Sequence, residues 1–61
     1  MTKFTVEIST DNAAFDGHPE YEIARILRGL SDQVELMGFD YDQILLRDHN
    51  GNRVGEAEYH D

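Results

Sequence analysis

Pairs of carboxylates two residues apart are the groups in this chain that could most directly do chemistry. Two carboxylates can divide general-acid and general-base work in hydrolysis when one of them lies in a pocket that raises its pKa. A chain of 61 residues has little volume for such a pocket, so we interpret the pairs as solvated surface charge. They are Glu20 with Glu22, Asp40 with Asp42, and Glu56 with Glu58.

The histidines and one oxygen-rich segment are the candidates for metal binding. The histidines fall before a predicted helix, in a predicted turn and near the C-terminal end, so no two have the spacing of metal ligands; they are His18, His49 and His60. Residues 48–52 place oxygen-bearing side chains at alternate positions, as a calcium loop does, but the glycine comes two positions early and Tyr59 replaces the final glutamate. We therefore predict a hairpin turn, no metal and no cofactor.

Motifs of other catalytic classes are missing from the sequence. It has no Ser-His-Asp arrangement, no glycine-rich phosphate loop and no nucleophile elbow. We therefore expect no enzyme activity, no catalytic residue and no small-molecule substrate.

Charge is the strongest signal in the composition. Thirteen Asp and Glu against five Lys and Arg give a formal net charge of -8. Affinity for nucleic acid comes largely from Lys and Arg that displace counterions, and the arginines of this chain are too few to supply it. A chain this acidic stays soluble or engages something basic. We therefore expect a protein partner and no nucleic acid.

The sequence also bears on location. No apolar run approaches the ~20 residues that a membrane span needs, and no basic-then-apolar N-terminus indicates a signal peptide. The chain contains no cysteine, which fits a reducing compartment. These features predict a cytoplasmic protein without a membrane contact.

Periodicity predicts one strand and one helix in the first two thirds of the chain. Strict alternation over residues 3–9 predicts a half-buried strand whose inner face carries Phe4, Val6 and Ile8. Apolar residues at helical spacing predict a helix over residues 19–36, with Gly38 as its C-cap. Gly29 lies inside this helix, where we interpret it as an exposed weak spot that costs about 1 kcal/mol relative to Ala.

Asn50 and Gly51, between two strand-like runs, predict a hairpin with a type I′ turn. Counting outwards gives the pairs Asp48–Arg53, Arg47–Val54, Leu46–Gly55, Leu45–Glu56, Ile44–Ala57, Gln43–Glu58 and Asp42–Tyr59. The residues that this register directs towards the helix are Ile44, Leu46, Ala57 and Tyr59. Gly55 either gives the helix room to approach or marks a bulge.

Together these elements predict a single α+β domain over residues 1–61 with the order β-α-β-β. The helix is long enough for a crossover, so the simplest sheet is antiparallel with strand order 1-3-2 and one helix on one face. Phe15 is expected to plug one end of the core. The other sheet face and the edge of the second strand are left for solvent or a partner.

The open sheet face is the candidate interaction surface, because it is predicted to carry two apolar side chains within a charged rim. Its candidate partner-binding residues are Glu7, Leu45, Arg47, Val54, Glu56 and Glu58. Isolated apolar residues are also common on ordinary surfaces, so the pattern is compatible with a face that has no partner. The small core supplies limited stability, and association with another chain would add to it.

Residues 8–15, 22–28 and 46–55 together resemble a set of small uncharacterised proteins encoded by tailed phages and prophages. The resemblance covers most of the chain and rests on the combination of the three segments. It implies a viral or prophage origin and the cytoplasm of a bacterial host cell. It carries no catalytic residues to this chain, and Gly29 departs from the polar residue expected in that helix.

Two functional hypotheses remain open. The first is a small acidic protein that binds a host or phage protein, in its sharpest form an inhibitor whose carboxylates imitate nucleic-acid phosphates, as some anti-CRISPR and anti-restriction proteins do. The second is a non-enzymatic structural or accessory protein that forms a homodimer or larger assembly through the open sheet face or a sheet edge. Binding of nucleic acid through the sheet is a third and weaker one, because the face lacks clustered aromatics.

Overall fold

Alternating apolar residues and turn-forming sequences divide the chain into short, well-separated elements. The computed structural model describes residues 2–38 and 43–60. In chain order the elements are strand β1 (Lys3–Ile8), a 3-10 turn (Ala13–Phe15), helix α1 (Pro19–Met37), strand β2 (Gln43–Arg47) and strand β3 (Arg53–His60).

The three strands form one antiparallel sheet in the order β1-β3-β2. With the helix packed on one face, this confirms the predicted α+β arrangement. The buried apolar residues come from the 3-10 turn, α1, β2 and β3, and they form one cluster: Phe15, Ile26, Leu30, Ile44, Leu46, Val54 and Ala57. Burial of this cluster is what holds the helix to the sheet.

Helix α1 begins and ends where its sequence predicts, to within one residue. Pro19 occupies the start of the helix, where its missing N–H is not needed. Gly38 ends it with a φ of +62°, and its N–H donates to the carbonyl of Val34 at 2.9 Å. Left-handed backbone of this kind favours glycine, because a side chain there would be strained.

The loop of the β2–β3 hairpin has three residues, so the predicted type I′ turn is wrong. Gly51 donates its N–H to the carbonyl of Asp48 at 3.0 Å, and Asp48 donates its own to Asn52 at 2.9 Å. A type I′ turn needs positive φ at both central residues. Among the described residues only glycines have positive φ, Gly51 at +86°, so Asn50 does not meet this requirement. A turn followed by a left-handed glycine is a common three-residue hairpin loop.

The third loop residue shifts the pairing next to the turn. Arg47 faces Arg53, so the predicted pairs Asp48–Arg53 and Arg47–Val54 are both wrong. Arg53 instead directs its guanidinium to Glu56, with 3.4 Å between Nη2 and Oε2.

A bulge restores the predicted register one residue further on. The pairing shifts between Leu46 and Arg47, and Leu46 then faces Gly55. The predicted pairs from Leu46 back to Gln43 are therefore confirmed. The predicted Asp42–Tyr59 pair lies outside the described residues.

The same bulge decides the position of Val54. Since Arg47 faces Arg53 and Leu46 faces Gly55, Val54 is the extra residue of β3 and has no partner on β2. Its side chain joins the core with 7% of its surface exposed. The prediction that Val54 lies on the open face is therefore wrong, because simple alternation does not hold across a bulge.

Helix α1 does not cover the whole inner face of the sheet. Val6 faces Ala57, which is fully buried, so the inner face of β1 is the predicted one. Yet Phe4 is 39% exposed and Val6 is 41% exposed. Ile8 is the residue of this face that packs against the core cluster.

Gly55 is required by the close approach of β1 to β3. A Cβ added there would collide with the carbonyl oxygen of Glu7 and would lie 2.9 Å from the Cα of Ile8. The obstacle is backbone of the neighbouring strand, so Gly55 makes room for β1 rather than for the helix. The alternative, that Gly55 marks a bulge, agrees with the register shift beside it at Val54. Gly29 is the opposite case, because nothing lies within 4 Å of an added Cβ.

Alanine at these two glycines should have opposite effects. Gly55→Ala should lower the free energy of unfolding by about 3 kcal/mol, because the methyl group meets backbone that cannot rotate away. Gly29→Ala should raise it by about 1 kcal/mol through helix propensity alone. Urea denaturation followed by circular dichroism measures the single variant Gly29→Ala and the double variant that adds Gly55→Ala, because the stabilised background keeps the folded state populated. If the double variant is as stable as Gly29→Ala alone, the close approach at Gly55 is contradicted.

Candidate functional site

The face of the sheet that points away from α1 carries the predicted site. Strand register brings its residues into two rows that cross all three strands: Thr5–Glu58–Gln43 and Glu7–Glu56–Leu45. We call this surface, with Arg47 at its end, the acidic face.

Three glutamates are neighbours on the acidic face. Glu7 lies directly opposite Glu56, and Glu58 follows two residues along the same strand. Directly opposed side chains have Cβ atoms about 5 Å apart, and like charges at that distance destabilise a sheet. The predicted grouping of these carboxylates on one face is present in the structure.

The charge of these glutamates is only partly balanced by their described neighbours. Glu56 accepts a hydrogen bond from the side-chain amide of Gln43 and has Arg53 at 3.4 Å. The carboxylate of Glu58 lies 3.8 Å from Nε2 of His60, which also contacts the hydroxyl of Thr5 at 3.1 Å. One arginine therefore faces three carboxylates, and the surface keeps a net negative potential.

The apolar centre predicted for this face does not form. Leu45 is 43% exposed at the β2 end of its row, whereas Val54 lies in the core. Arg47 is exposed, but its guanidinium turns to the hairpin, where it donates to the carbonyl of Gly51 at 3.1 Å. Of the predicted partner-binding residues, Val54 does not belong to the face, and what remains is a charged surface with one leucine at its edge.

The prediction that Glu22 is solvated surface charge is wrong. Glu22 is 8% exposed and accepts two hydrogen bonds from Arg25, each at 2.9 Å. It also accepts the backbone N–H of His49 at 2.8 Å. Arg25 in turn donates to the carbonyl of Arg47 at 3.2 Å. The pair therefore joins the first half of α1 to the end of β2 and to the start of the hairpin loop.

Asp48 is the second buried carboxylate, at 4% exposure. Its Oδ1 accepts the backbone N–H groups of Asn50 and Asn52, both at 2.9 Å. Its Oδ2 accepts the side-chain amides of Asn12 at 2.8 Å and Asn52 at 3.2 Å. Asn12 also caps the 3-10 turn by accepting from the N–H of Ala14, so Asp48 ties that turn to the hairpin.

We call Glu22, Arg25, Asp48 and Asn12 the carboxylate network. Hydrogen bonds from Arg25 hold the pKa of Glu22 at about 2, below its ordinary 4.5, against the opposing effect of burial. Burial raises the pKa of Asp48, but the hydrogen bonds from Asn52, Asn12 and Asn50 together lower it further. Both groups are therefore held deprotonated, whereas a general acid needs a raised pKa. The network is built to fix structure.

Two sequence signals point to this network. Glu22 and Arg25 have the i, i+3 spacing of helix ion pairs, and Asp48 two residues before Asn50 is typical of a side chain that caps its own turn. Neither signal reveals burial, because the remaining partners lie 27 and 36 residues away in sequence.

A groove runs between α1 and the free edge of β2. Its volume is about 180 Å³, and Arg25, Gly29, Leu45 and Arg47 are among its lining residues. Pockets for drug-sized ligands are larger, about 300–1,000 Å³. The groove therefore offers a shallow surface contact rather than an enclosed ligand site.

The described residues contain no group of three or more His, Cys, Asp or Glu placed to hold a metal ion. His18 lies against Tyr21, with 5.2 Å between ring centroids, and His60 lies at the end of β3. Within the described ranges, no helix is both long enough and apolar enough to span a membrane.

Comparison with known proteins does not identify a relative. No protein-family model, no characterised protein and no solved structure matches this chain. The case for a function therefore rests on the geometry of the chain itself.

The lowered pKa of Glu22 predicts a loss of stability in acid. Because the folded-state pKa lies below the ordinary value, the charged form stabilises the fold above about pH 5, and that contribution is lost as the pH falls towards 2. Glu22→Gln should lower the midpoint of urea unfolding at neutral pH, and its deficit should shrink as wild-type Glu22 becomes protonated.

Glu20→Gln is the matched control, since the Glu20 side chain is 64% exposed and lies two residues before Glu22, about half a helical turn away around the helix axis. It should unfold with the pH dependence of the wild type. A Glu22→Gln curve parallel to the wild type from about pH 5 to pH 2 would contradict the assigned shift.

Proposed function

We propose that this protein is a non-catalytic binding module whose acidic face docks on a basic surface of a host or phage protein. The observation that carries the proposal is the direct opposition of Glu7 and Glu56 with Glu58 beside them. Like charges across a strand pair destabilise the sheet. Cationic side chains of a basic partner would relieve this repulsion and attract the same carboxylates.

The position of the glutamates supports binding over general solubility. Solubility needs charge anywhere on the surface, and the exposed residues of α1 supply it, Asp32 and Glu35 among them. The acidic face adds carboxylates to the sheet surface that points away from α1. Such a surface presents its charges in fixed rows, because the strand backbone sets the spacing.

The net charge of -8 supports the same function through kinetics. A strongly charged protein attracts an oppositely charged partner at long range and raises the association rate, and this effect falls as salt screens it. A site that normally binds nucleic-acid phosphates is one basic surface of this kind. Inhibition of a nucleic-acid-handling host or defence protein is therefore the sharper form of the proposal.

The experiment compares two variants of equal charge. Glu56→Gln with Glu58→Gln removes two charges from the acidic face, and Asp32→Asn with Glu35→Gln removes two from α1. Each tagged protein is used to capture partners from bacterial lysate at low and high salt. We expect a partner that the α1 variant retains and the acidic-face variant binds about tenfold more weakly at low salt, since each lost charge pair contributes up to about 1 kcal/mol.

Three results would overturn the proposal: equal loss in both variants, a partner indifferent to salt, or recovery of the protein alone. Duplex DNA added as competitor tests the sharper form. If DNA displaces this protein from the captured partner, the partner's basic surface is a nucleic-acid site, which supports the sharper form. If the partner stays bound, its basic surface is one that does not bind nucleic acid.

A further inference from the structure

Strand β1 is an edge whose inner side chains are partly uncovered. Among the described elements β1 pairs with β3 alone. Phe4 and Val6 on its inner face are 39% and 41% exposed. Leu27 is 43% exposed, and on α1 it lies about 200° around the axis from Gly29, which lines the groove at β2. Leu27 therefore lies on the flank of the helix that faces away from this groove and from the edge of β2.

The two edges of the sheet are not equivalent. At β2, the guanidinium of Arg25 reaches over the strand and donates to the carbonyl of Arg47, and the flank of α1 forms the groove along that edge. A side chain on an outward carbonyl blocks the approach of another strand. On β1 the corresponding region is a row of apolar side chains. Among the described residues, no side chain donates to the outward backbone groups of Val6 or Ile8. We therefore take β1 as the edge that receives another strand, rather than the second-strand edge that the sequence suggested.

We propose that β1 pairs antiparallel with β1 of a second copy of this chain, centred on Thr5, to give a continuous six-stranded sheet. In this register Lys3 of each copy lies opposite Glu7 of the other, Phe4 lies opposite Val6, and Thr5 lies opposite Thr5. The strand is thus complementary to itself in charge and in shape, as a two-fold interface requires. Opposite charges and aromatic–β-branched pairs are the favourable cross-strand combinations.

The backbone geometry selects this kind of register. Ser9 donates its N–H to Val54 on β3 at 2.7 Å, so the alternation of an antiparallel strand directs the N–H and C=O of Val6 and Ile8 to the outer edge. An antiparallel pair forms its hydrogen bonds between residues whose backbone groups point to the shared edge, which here are the even-numbered ones. Pairing centred on Thr5 places even-numbered residues of the two copies opposite one another. Lys3 and Glu7 then face each other at the close, non-hydrogen-bonded positions.

Neighbouring registers lack the charge pairs. Centring on Val6 would put Lys3 opposite Ser9 and Glu7 opposite Thr5. Centring on Phe4 would put Lys3 opposite Thr5 and would leave Glu7 beyond the end of the partner strand. Charge complementarity therefore singles out Thr5 among the registers that the backbone permits.

The first test is the mass of the full chain in solution. Sedimentation equilibrium over a wide concentration range should show a dimer of the 7.0 kDa chain. Lys3→Glu and Glu7→Lys each replace two attractive pairs with two repulsive ones, so each should raise the dissociation constant about tenfold or more. Both residues are exposed, and circular dichroism checks that each variant is folded.

An equimolar mixture of the two variants is the decisive sample. Their strands carry charges of opposite sign, so the mixture should form a heterodimer although neither variant forms a stable homodimer. Leu45→Asp is the control for the β2 edge and the open face, and it should leave the wild-type dimer intact. Since Lys3 is the single lysine of the sequence, carbodiimide cross-linking should yield a Lys3–Glu7 link between copies.

A wild-type chain that stays monomeric at the highest concentration would overturn this proposal. So would a dimer that survives both charge reversals, or one that Leu45→Asp dissociates. Glu7 belongs to both surfaces, so other residues separate the two proposals. Lys3→Glu tests the strand pairing, whereas Glu56→Gln with Glu58→Gln tests the acidic face, and neither of these two glutamates takes part in the pairing.

Discussion

The carboxylate network is the constraint on which the rest of the structure depends. Glu22 and Asp48 are buried at 8% and 4% exposure, and burial of a charge is tolerated only when hydrogen bonds satisfy it. Their donors come from α1, from the hairpin loop and from the segment before the 3-10 turn. Among the described residues, no buried side-chain nitrogen or oxygen lacks a partner. The three segments are therefore fixed relative to one another by directional bonds as well as by apolar contact.

This network also explains why the molecule is asymmetric. Glu22 and Arg25 anchor the first half of α1 to the β2–β3 turn, which lies at the β2 side of the sheet. One helix is too narrow to cover three strands when it is held to one side. The far strand, β1, then keeps Phe4 and Val6 partly exposed, while the edge of β2 receives the guanidinium of Arg25.

Sequence patterns predicted the strand order and most of the register, although they gave the wrong loop length and offered the bulge only as an alternative at Gly55. The three-residue loop moves the pairing by one residue, and the bulge at Val54 moves it back. Hydrophobic alternation could predict the pairs from Gln43 to Leu46 because those rows lie beyond both features. It could not place Val54 or Asp48, because loop length and bulges depend on backbone hydrogen bonds that residue types only partly determine. Glu7, Glu56 and Glu58 share a face for the simple reason that period-two alternation and register hold there.

The unfavourable features of this small domain are concentrated on two surfaces. A domain of this size buries only about 60% of the surface that its unfolded chain exposes, so each unfavourable contact removes a sizeable part of the net stability. Opposed glutamates lie on the open face, and exposed apolar side chains lie along β1. Pairing through β1 acts within the plane of the sheet, whereas the glutamates project perpendicular to it. A second copy would therefore cover the edge and engage Glu7 through Lys3, while Glu56 and Glu58 stay free of the pairing on the widened acidic face.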